Sequence, residues 1–317
     1  MKRVWLSGLL VSMMLCGQPC LGQEASSEDT TIQLQESQSL LNKHQFHLFN
    51  PVPSDMMRPM STDRPDKTES AYTVDAGHFQ FEGDLLSLIL NQDTESSGFD
   101  LLIAPTNLKF GILNNLDFHV IILPVNWNRN TQLSDSKTTD TWSFGDMLLR
   151  MKYNLWGNDG GQTALAVMPF LKLPTSSSTT INNLLEGGVV LPFAWDIGNN
   201  WGFGAQLQMD IASNQEALSP HPELDPRHGS DSQTPAGYHP EFSFAATIGY
   251  DFTDEIGAFI EIFGGMSTLA PTEFLSTFDA GVTWSPTPNM QWDMGVYLGL
   301  TANAPRFTPF IGLSHRF

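Results

Sequence analysis

Apolar and polar residues alternate along most of this chain, and from His78 onward the period is two. In "WGFGAQLQMDI" (201–211), Trp201, Phe203, Ala205, Leu207, Met209 and Ile211 share one face, while Gly202, Gly204, Gln206, Gln208 and Asp210 share the other. "FSFAATIGYDF" sets Phe242, Phe244, Ala246, Ile248, Tyr250 and Phe252 against Ser243, Thr247, Gly249 and Asp251. "MQWDMGVYLGL" does the same with Met290, Trp292, Met294, Val296, Leu298 and Leu300 against Gln291, Asp293, Gly295, Tyr297 and Gly299. A helix would scatter these polar residues around its cylinder, whereas a strand segregates them. The pattern predicts about twelve strands, near 79–90, 99–113, 116–126, 141–155, 161–173, 186–197, 201–212, 241–251, 256–266, 276–285, 289–300 and 306–317. Most reach the roughly 10 residues that a tilted strand needs to cross a bilayer.

The connections alternate in length. "NN" (114–115), "GNDGG" (157–161), "GNN" (198–200), "TDE" (253–255) and "PTP" (286–288) are short; 127–140, 174–185 and the Pro-rich 213–240 are longer. Tight turns at one end and larger loops at the other are the rhythm of a membrane barrel. The polar face, rich in Gly, Ala, Ser and Gln with a few acids, suits a confined lumen. The Phe-, Leu-, Ile- and Trp-rich face suits lipid. Trp195 and Trp201 bracket one short connection, Trp284 and Trp292 another, and Trp156 begins a third, as in an interfacial aromatic belt. The expected fold is all-β: a transmembrane antiparallel up-and-down β-barrel over residues 78–317.

Composition agrees with this. Only 15% of the 317 residues are charged, against roughly 25% in an average chain. A mean hydropathy of −0.15 is no obstacle, because alternation averages apolar and polar positions. The net charge of −19 repels phosphate backbones, so no nucleic-acid partner is expected.

At the N-terminus, Lys2 and Arg3 precede "VWLSGLLVSMMLCG", followed by the small residues Cys20 and Gly22. This reads as a signal peptide over 1–22, its apolar core short of the ~20 residues of a spanning helix. Both cysteines, Cys16 and Cys20, fall within it, so no disulfide framework is expected. Residues 23–77 form an N-terminal segment assigned to the periplasmic side, with some helical character that Pro51 and Pro53 stop. The last strand, "RFTPFIGLSHRF", carries Phe307, Ile311, Leu313, His315 and Phe317 on one face. Its terminal aromatic resembles the C-terminal signal of bacterial outer-membrane barrels. Phe317 is therefore expected to be read by the barrel-assembly machinery, and outer-membrane lipid to surround the folded chain.

The densest run of charge is "STDRPDKTES" (61–70), just before the first strand. "STDRPDKTESAYTVDAGHFQFE" (61–82) resembles the entry motif of a bacterial outer-membrane transporter family, the phenol-degradation meta-pathway proteins. Its Thr-Asp-Arg-Pro-Asp core stands here as Thr62 to Asp66, its Thr-Glu-Ser as Thr68 to Ser70, and its Gly-His-Phe-Gln as Gly77 to Gln80. "GDMLLRMKYNLW" (145–156) looks like the family's Gly-Asp strand ending in Lys-Tyr. The resemblance runs from about residue 60 to the end. It implies a barrel, and it suggests uptake of hydrophobic or aromatic compounds.

Asp63, Asp66 and Glu69 could serve as general acids and bases or as cation ligands. Arg64 and Lys67 sit among them and neutralise them locally, and no nucleophile–base arrangement is legible. The expected role is a latch or plug: Pro65 stiffens the segment, and Asp63, Arg64, Asp66 and Glu69 pair with lumen groups, Arg64 with a carboxylate. Candidate lumen residues are Asp117, His119, Arg150, Lys152, Asp210, Asp251, Glu261, Asp279 and Asp293, all on polar faces of predicted strands. His119 beside Asp117 would need a serine nucleophile to serve a lipase, and none is near in sequence. His221, His228 and His239 lie amid acids in the 213–240 loop without tight spacing, so neither metal nor cofactor is expected. The first functional reading is a channel or transporter for small, hydrophobic or aromatic solutes, and not an enzyme. An outer-membrane lipase and a structural barrel without a through-path are the alternatives.

Overall fold

Strands that alternate in this way hydrogen-bond to their sequence neighbours, and here they close upon themselves. The computed structural model describes residues 43–92, 96–177, 184–214, 237–269 and 274–317. The signal peptide expected at 1–22 and most of the 213–240 loop, His221 and His228 included, lie outside the described residues. The described residues belong to one unit, Asn42–Phe317. A 3-10 turn at Ser54–Met56 precedes fifteen strands: β1 (Phe79–Gln92), β2 (Ser96–Ile103), β3 (Thr106–Leu113), β4 (Leu116–Ile122), β5 (Val125–Gln132), β6 (Thr138–Ser143), β7 (Met147–Trp156), β8 (Thr163–Leu173), β9 (Glu186–Gly198), β10 (Trp201–Ser213), β11 (Tyr238–Asp251), β12 (Ile256–Ser267), β13 (Phe274–Thr287), β14 (Met290–Gly299) and β15 (Phe307–Arg316). All neighbours pair antiparallel, and β15 returns to β1 with Gln80 opposite Arg316 and Leu90 opposite Phe307.

Fifteen strands make twelve crossings, because three crossings are each broken in two. The breaks fall at Ala104–Pro105, at Leu123–Pro124 and at 144–146. Proline has no N–H to give a ladder, so two of these breaks are written in the sequence. The connection expected at 127–140 is mostly strand: β5 and β6 form a hairpin that lengthens the wall. Its polar run, "VNWNRNTQ", lacks the apolar alternation of a lipid-facing strand, and its Arg129–Asp140 pair is exposed. The turn expected at 286–288 is displaced too, for β13 continues to Thr287.

The two faces separate as the alternation requires. Leu207 is 64% exposed while its neighbour Gln206 is 2% exposed. Phe242, Phe244, Ile260, Ile262, Val282 and Met294 also point outward. In water such a surface would be costly, whereas in lipid it is the stable arrangement. No helix among the described residues is long and apolar enough to cross a membrane. At the short-turn end Trp156, Trp195, Trp201 and Trp284 are about half exposed, and Trp292 pairs with Trp284. Asn199 and Asn200 turn the β9–β10 hairpin with φ of 54° and 66°, the left-handed pair that a two-residue hairpin takes. Phe317 lies at this end, its N–H donating to the Phe79 carbonyl at 2.8 Å and its ring stacked on Phe79.

Candidate functional site

The run "STDRPDKTES" is not spread over the surface. It enters the barrel from the short-turn end, reaches mid-height and returns to start β1. At the mouth, Arg58 Nη1 donates to the Asn114 carbonyl at 3.1 Å and to Asp159 at 3.0 Å, while its Nη2 reaches the Thr73 carbonyl on the returning limb at 3.2 Å. Arg316 Nη1 donates to the Arg58 carbonyl at 2.8 Å and stands 3.3 Å from Asp75. The two limbs are tied by Ser61 and Ser70, whose hydroxyls are 2.6 Å apart, and by Ser70 N–H donating to Asp63 at 3.0 Å.

Inside, Asp63, Arg64, Lys67 and Glu69 meet inward residues on several strands. Asp63 Oδ1 is 2.5 Å from Lys152 Nζ on β7, and its Oδ2 is 2.8 Å from Lys109 Nζ on β3. Lys109 also meets Glu82 at 2.8 Å. Arg64 Nη2 lies between Asp84 on β1, at 2.6 Å, and Asp293 on β14, at 2.7 Å. Lys67 Nζ donates to Thr277 at 2.6 Å and Asp279 at 3.0 Å, with the Tyr297 ring centroid 4.1 Å away. Glu261 on β12 accepts from the backbone N–H groups of Lys67 and Thr68, both at 2.9 Å. Glu69 accepts from Arg150 at 2.5 Å, and its N–H donates to Gln206 at 2.7 Å. The Pro65 carbonyl accepts from Tyr297 Oη at 2.8 Å. Unpaired charges could not stay in so enclosed a space, so loop and wall neutralise one another.

Glycines make room for this. A Cβ at Gly312 would strike the Arg64 guanidinium, and one at Gly111 would strike the Asp75 carbonyl. The loop's carboxyls answer differently to their surroundings. Burial alone would raise Asp63, but the Lys109 and Lys152 ammoniums and His119 outweigh it and hold the carboxyl well below the usual carboxylate range. Burial pushes Asp66 up to about 7, against a hydrogen bond from Thr247. Burial likewise pushes Glu69 up to about 7 despite Arg150. For Arg64, burial lowers and the carboxylates of Asp84 and Asp293 raise; the pair prevails.

Of the residues singled out by sequence, Asp117, His119, Arg150, Lys152, Glu261, Asp279 and Asp293 are buried in this network. Asp117 accepts from the Val74 N–H at 2.9 Å. His119 presents Nε2 to Asp117 at 2.8 Å and Nδ1 to Asp63 at 3.8 Å, so both ring nitrogens face carboxylates and neither holds a serine. Asp210 stands apart from the loop and accepts from Gln208 at 2.9 Å. Asp251 is exposed where β11 ends, outside the network: alternation gives its face but not its height. His239 faces Glu241 at 3.0 Å, and among the described residues no group of three His, Cys, Asp or Glu side chains could hold a metal ion. Sequence reasoning missed Lys109, Glu82 and Asp84. The alternation Gln80, Glu82, Asp84 in "HFQFEGDLL", and Lys109 in "TNLKFGIL", carried the signal.

On the far side of this charged layer apolar inward residues stand among polar ones, which include the buried Lys172–Glu186 pair at 2.6 Å, His239 and Glu241. One buried cluster joins Ile121, Leu148, Met168, Phe170 and Val190. A second joins Ile89, Leu102 and Leu123, and a third Ala245, Phe263, Leu275 and Ala304. Leu148 follows Arg150 on its strand face, and Phe263 follows Glu261, so apolar patches line the lumen between the loop's ion pairs and a second polar set near the longer connections.

The family profile described as "Putative MetA-pathway of phenol degradation" matches residues 62–317, beginning at the loop's Thr62. The chain belongs to this family. Within the phenol-degradation family it is an outer-membrane β-barrel of twelve crossings. Solved structures similar to it include the NanC porin (10% identity, TM-score 0.45, 75% of this chain and 98% of that one). Others are the CymD monoaromatic hydrocarbon channel (8%, 0.40, 76% and 88%) and the KdgM porin (10%, 0.40, 76% and 99%). No curated protein matches.

Proposed function

We propose that this barrel passes small, uncharged hydrophobic or aromatic molecules across the outer membrane, and that residues 61–70 are the latch that closes its periplasmic half. The observation that carries the reading is the set of apolar patches inside the lumen. Ile121, Leu148, Met168, Phe170 and Val190 face inward beyond the charged layer, where a water-filled pore would have polar walls. The family's association with phenol degradation points to the same solute class. Phe317, exposed at the end of the closing strand, is the handle for the assembly machinery.

A second reading has its own support. Lys109, Lys152 and Asp117 are wholly buried, which favours a barrel with no through-path. Outer-membrane vesicles with and without the protein separate the two. Under the transport reading, vesicles containing it take up a small uncharged aromatic faster than vesicles lacking it. Equal rates would leave the structural barrel. Release of fatty acid from phospholipid by the purified protein would instead make it an enzyme.

A further inference from the structure

We propose that apolar solutes leave the lumen sideways, through a slot in the wall between Ala104–Pro105 and Leu123–Pro124, into the outer part of the hydrocarbon layer. This names the route for the transport reading above and rests on it.

The slot is built from breaks that line up on adjacent crossings. Ile103 pairs with Val125 on one side of it, and Thr106 pairs with Ile122 on the other. Between these pairs, no described backbone hydrogen bond joins Ala104 or Pro105 to Leu123 or Pro124. What bonds these residues make point away from the slot. The Ala104 N–H donates to the Leu85 carbonyl at 3.4 Å, and the Pro105 carbonyl accepts from Asp84 at 3.1 Å, both toward β1. The Leu123 carbonyl accepts from Gly145 at 2.9 Å, toward β7. Pro105 and Pro124 have no N–H to offer. A closed barrel otherwise satisfies every backbone group across its ladder, so an unlaced gap at bilayer depth is an exception that calls for a use. Strand β1 shifts register at the same level, between Asp84 and Leu86.

Both sides of the slot carry apolar residues. On the lumen side stand Leu102, Leu123 and Ile89, one buried cluster. On the lipid side Ile103 and Val125 flank it at one end and Ile122 at the other. Just beyond lies the polar β5–β6 hairpin with its exposed Arg129–Asp140 pair, which sets the slot near the border of the apolar belt. The charged layer closes the way toward the short-turn end. An uncharged apolar molecule in the lumen therefore meets the loop's ion pairs toward the short-turn end and leucines at the slot. Passage requires Leu102 and Leu123 to turn aside; no backbone bond between the two crossings must break.

Stapling the slot tests this. The register partners Ile103/Val125 and Thr106/Ile122 flank it, and antiparallel partners have Cα atoms about 4.5–5.5 Å apart, within disulfide reach. The variant carries Ile103→Cys, Val125→Cys, Thr106→Cys and Ile122→Cys. In outer-membrane vesicles, entry of the apolar dye phenylnaphthylamine should fall, on oxidation, to the rate of vesicles lacking the protein. Reductant should restore it, and ion conductance should be the same in both states. Should the staples not form, Pro105→Val with Pro124→Val restores two N–H donors and should likewise slow the dye. Undiminished dye entry in the oxidised, fully cross-linked variant overturns the slot while leaving the transport reading in place. A wild-type protein that does not speed dye entry at all overturns that reading, and the slot with it.

Discussion

Arg64 and Asp293 meet inside the barrel although they lie 229 residues apart, with Nη2 2.7 Å from Oδ1 and Nε 3.3 Å from Oδ2. Asp84 takes the same Nη2 at 2.6 Å. One guanidinium therefore holds the loop to two adjoining regions of wall, either side of β15. Arg64→Ala leaves two carboxylates facing each other without their cation, and breaking a buried pair in this way costs roughly 3–5 kcal/mol. The strand ladder is untouched. Heat-modifiable migration in detergent gels should persist, while protease clipping between residues 60 and 75 rises. Unchanged clipping would mean that Arg64 does not seat the loop.

Asp63→Asn keeps the side chain's shape and removes its charge, leaving Lys109 and Lys152 short of a shared counter-ion. Loop release should again increase, by about 3–5 kcal/mol of lost seating. Adding Lys152→Met to Asp63→Asn should recover part of that loss, because one of the stranded ammoniums is gone. Strictly additive effects of the two substitutions would contradict the ion-pair account.

The pH dependence follows from Asp66 and Glu69, both pushed up to about 7 by burial. A withdrawn loop would titrate these groups near 4. Between about 4 and 7 the seated loop thus binds more protons than the withdrawn one, so raising the pH weakens seating, and the loss levels off above 7. Asp63 acts oppositely, but only in strong acid, because its carboxyl is held far below the usual range. Protease clipping of the loop should therefore be faster at pH 8 than at pH 5. The reverse order would contradict the assignment.

Leu207→Arg places a cation on the lipid face and should cost roughly 2–4 kcal/mol near the midplane. Gln208→Arg, one residue on, points inward beside Asp210 and should assemble nearly as well as wild type. Yields of heat-modifiable barrel measure both. Equal defects would mean that the two faces are exchanged.

Much of this was legible in the sequence. Period-two alternation places Leu207 outside and Gln206 inside, and the short connections at 114–115, 157–161, 198–200 and 253–255 lie where strands reverse. The strand count also follows, because a broken crossing still alternates on either side of its break. What alternation cannot give is height along the barrel, which is why Asp251 and Asp293 look alike in sequence while one is exposed at a strand end and the other grips Arg64. Lys109 and Glu82 were visible as inward positions, but only the closed barrel brings them to Asp63. The aligned breaks at Pro105 and Pro124 depend on pairing between distant strands, which no single stretch of chain displays.

The central claim is that the inserted loop closes the lumen, and single-barrel conductance tests it most directly. The comparison is wild type against a variant whose residues 61–70 are replaced by a Gly–Ser run of equal length, with folding checked by heat-modifiable migration. The account predicts discrete conductance steps in the variant at voltages where wild type is closed or nearly so. Indistinguishable traces from two folded barrels would contradict it.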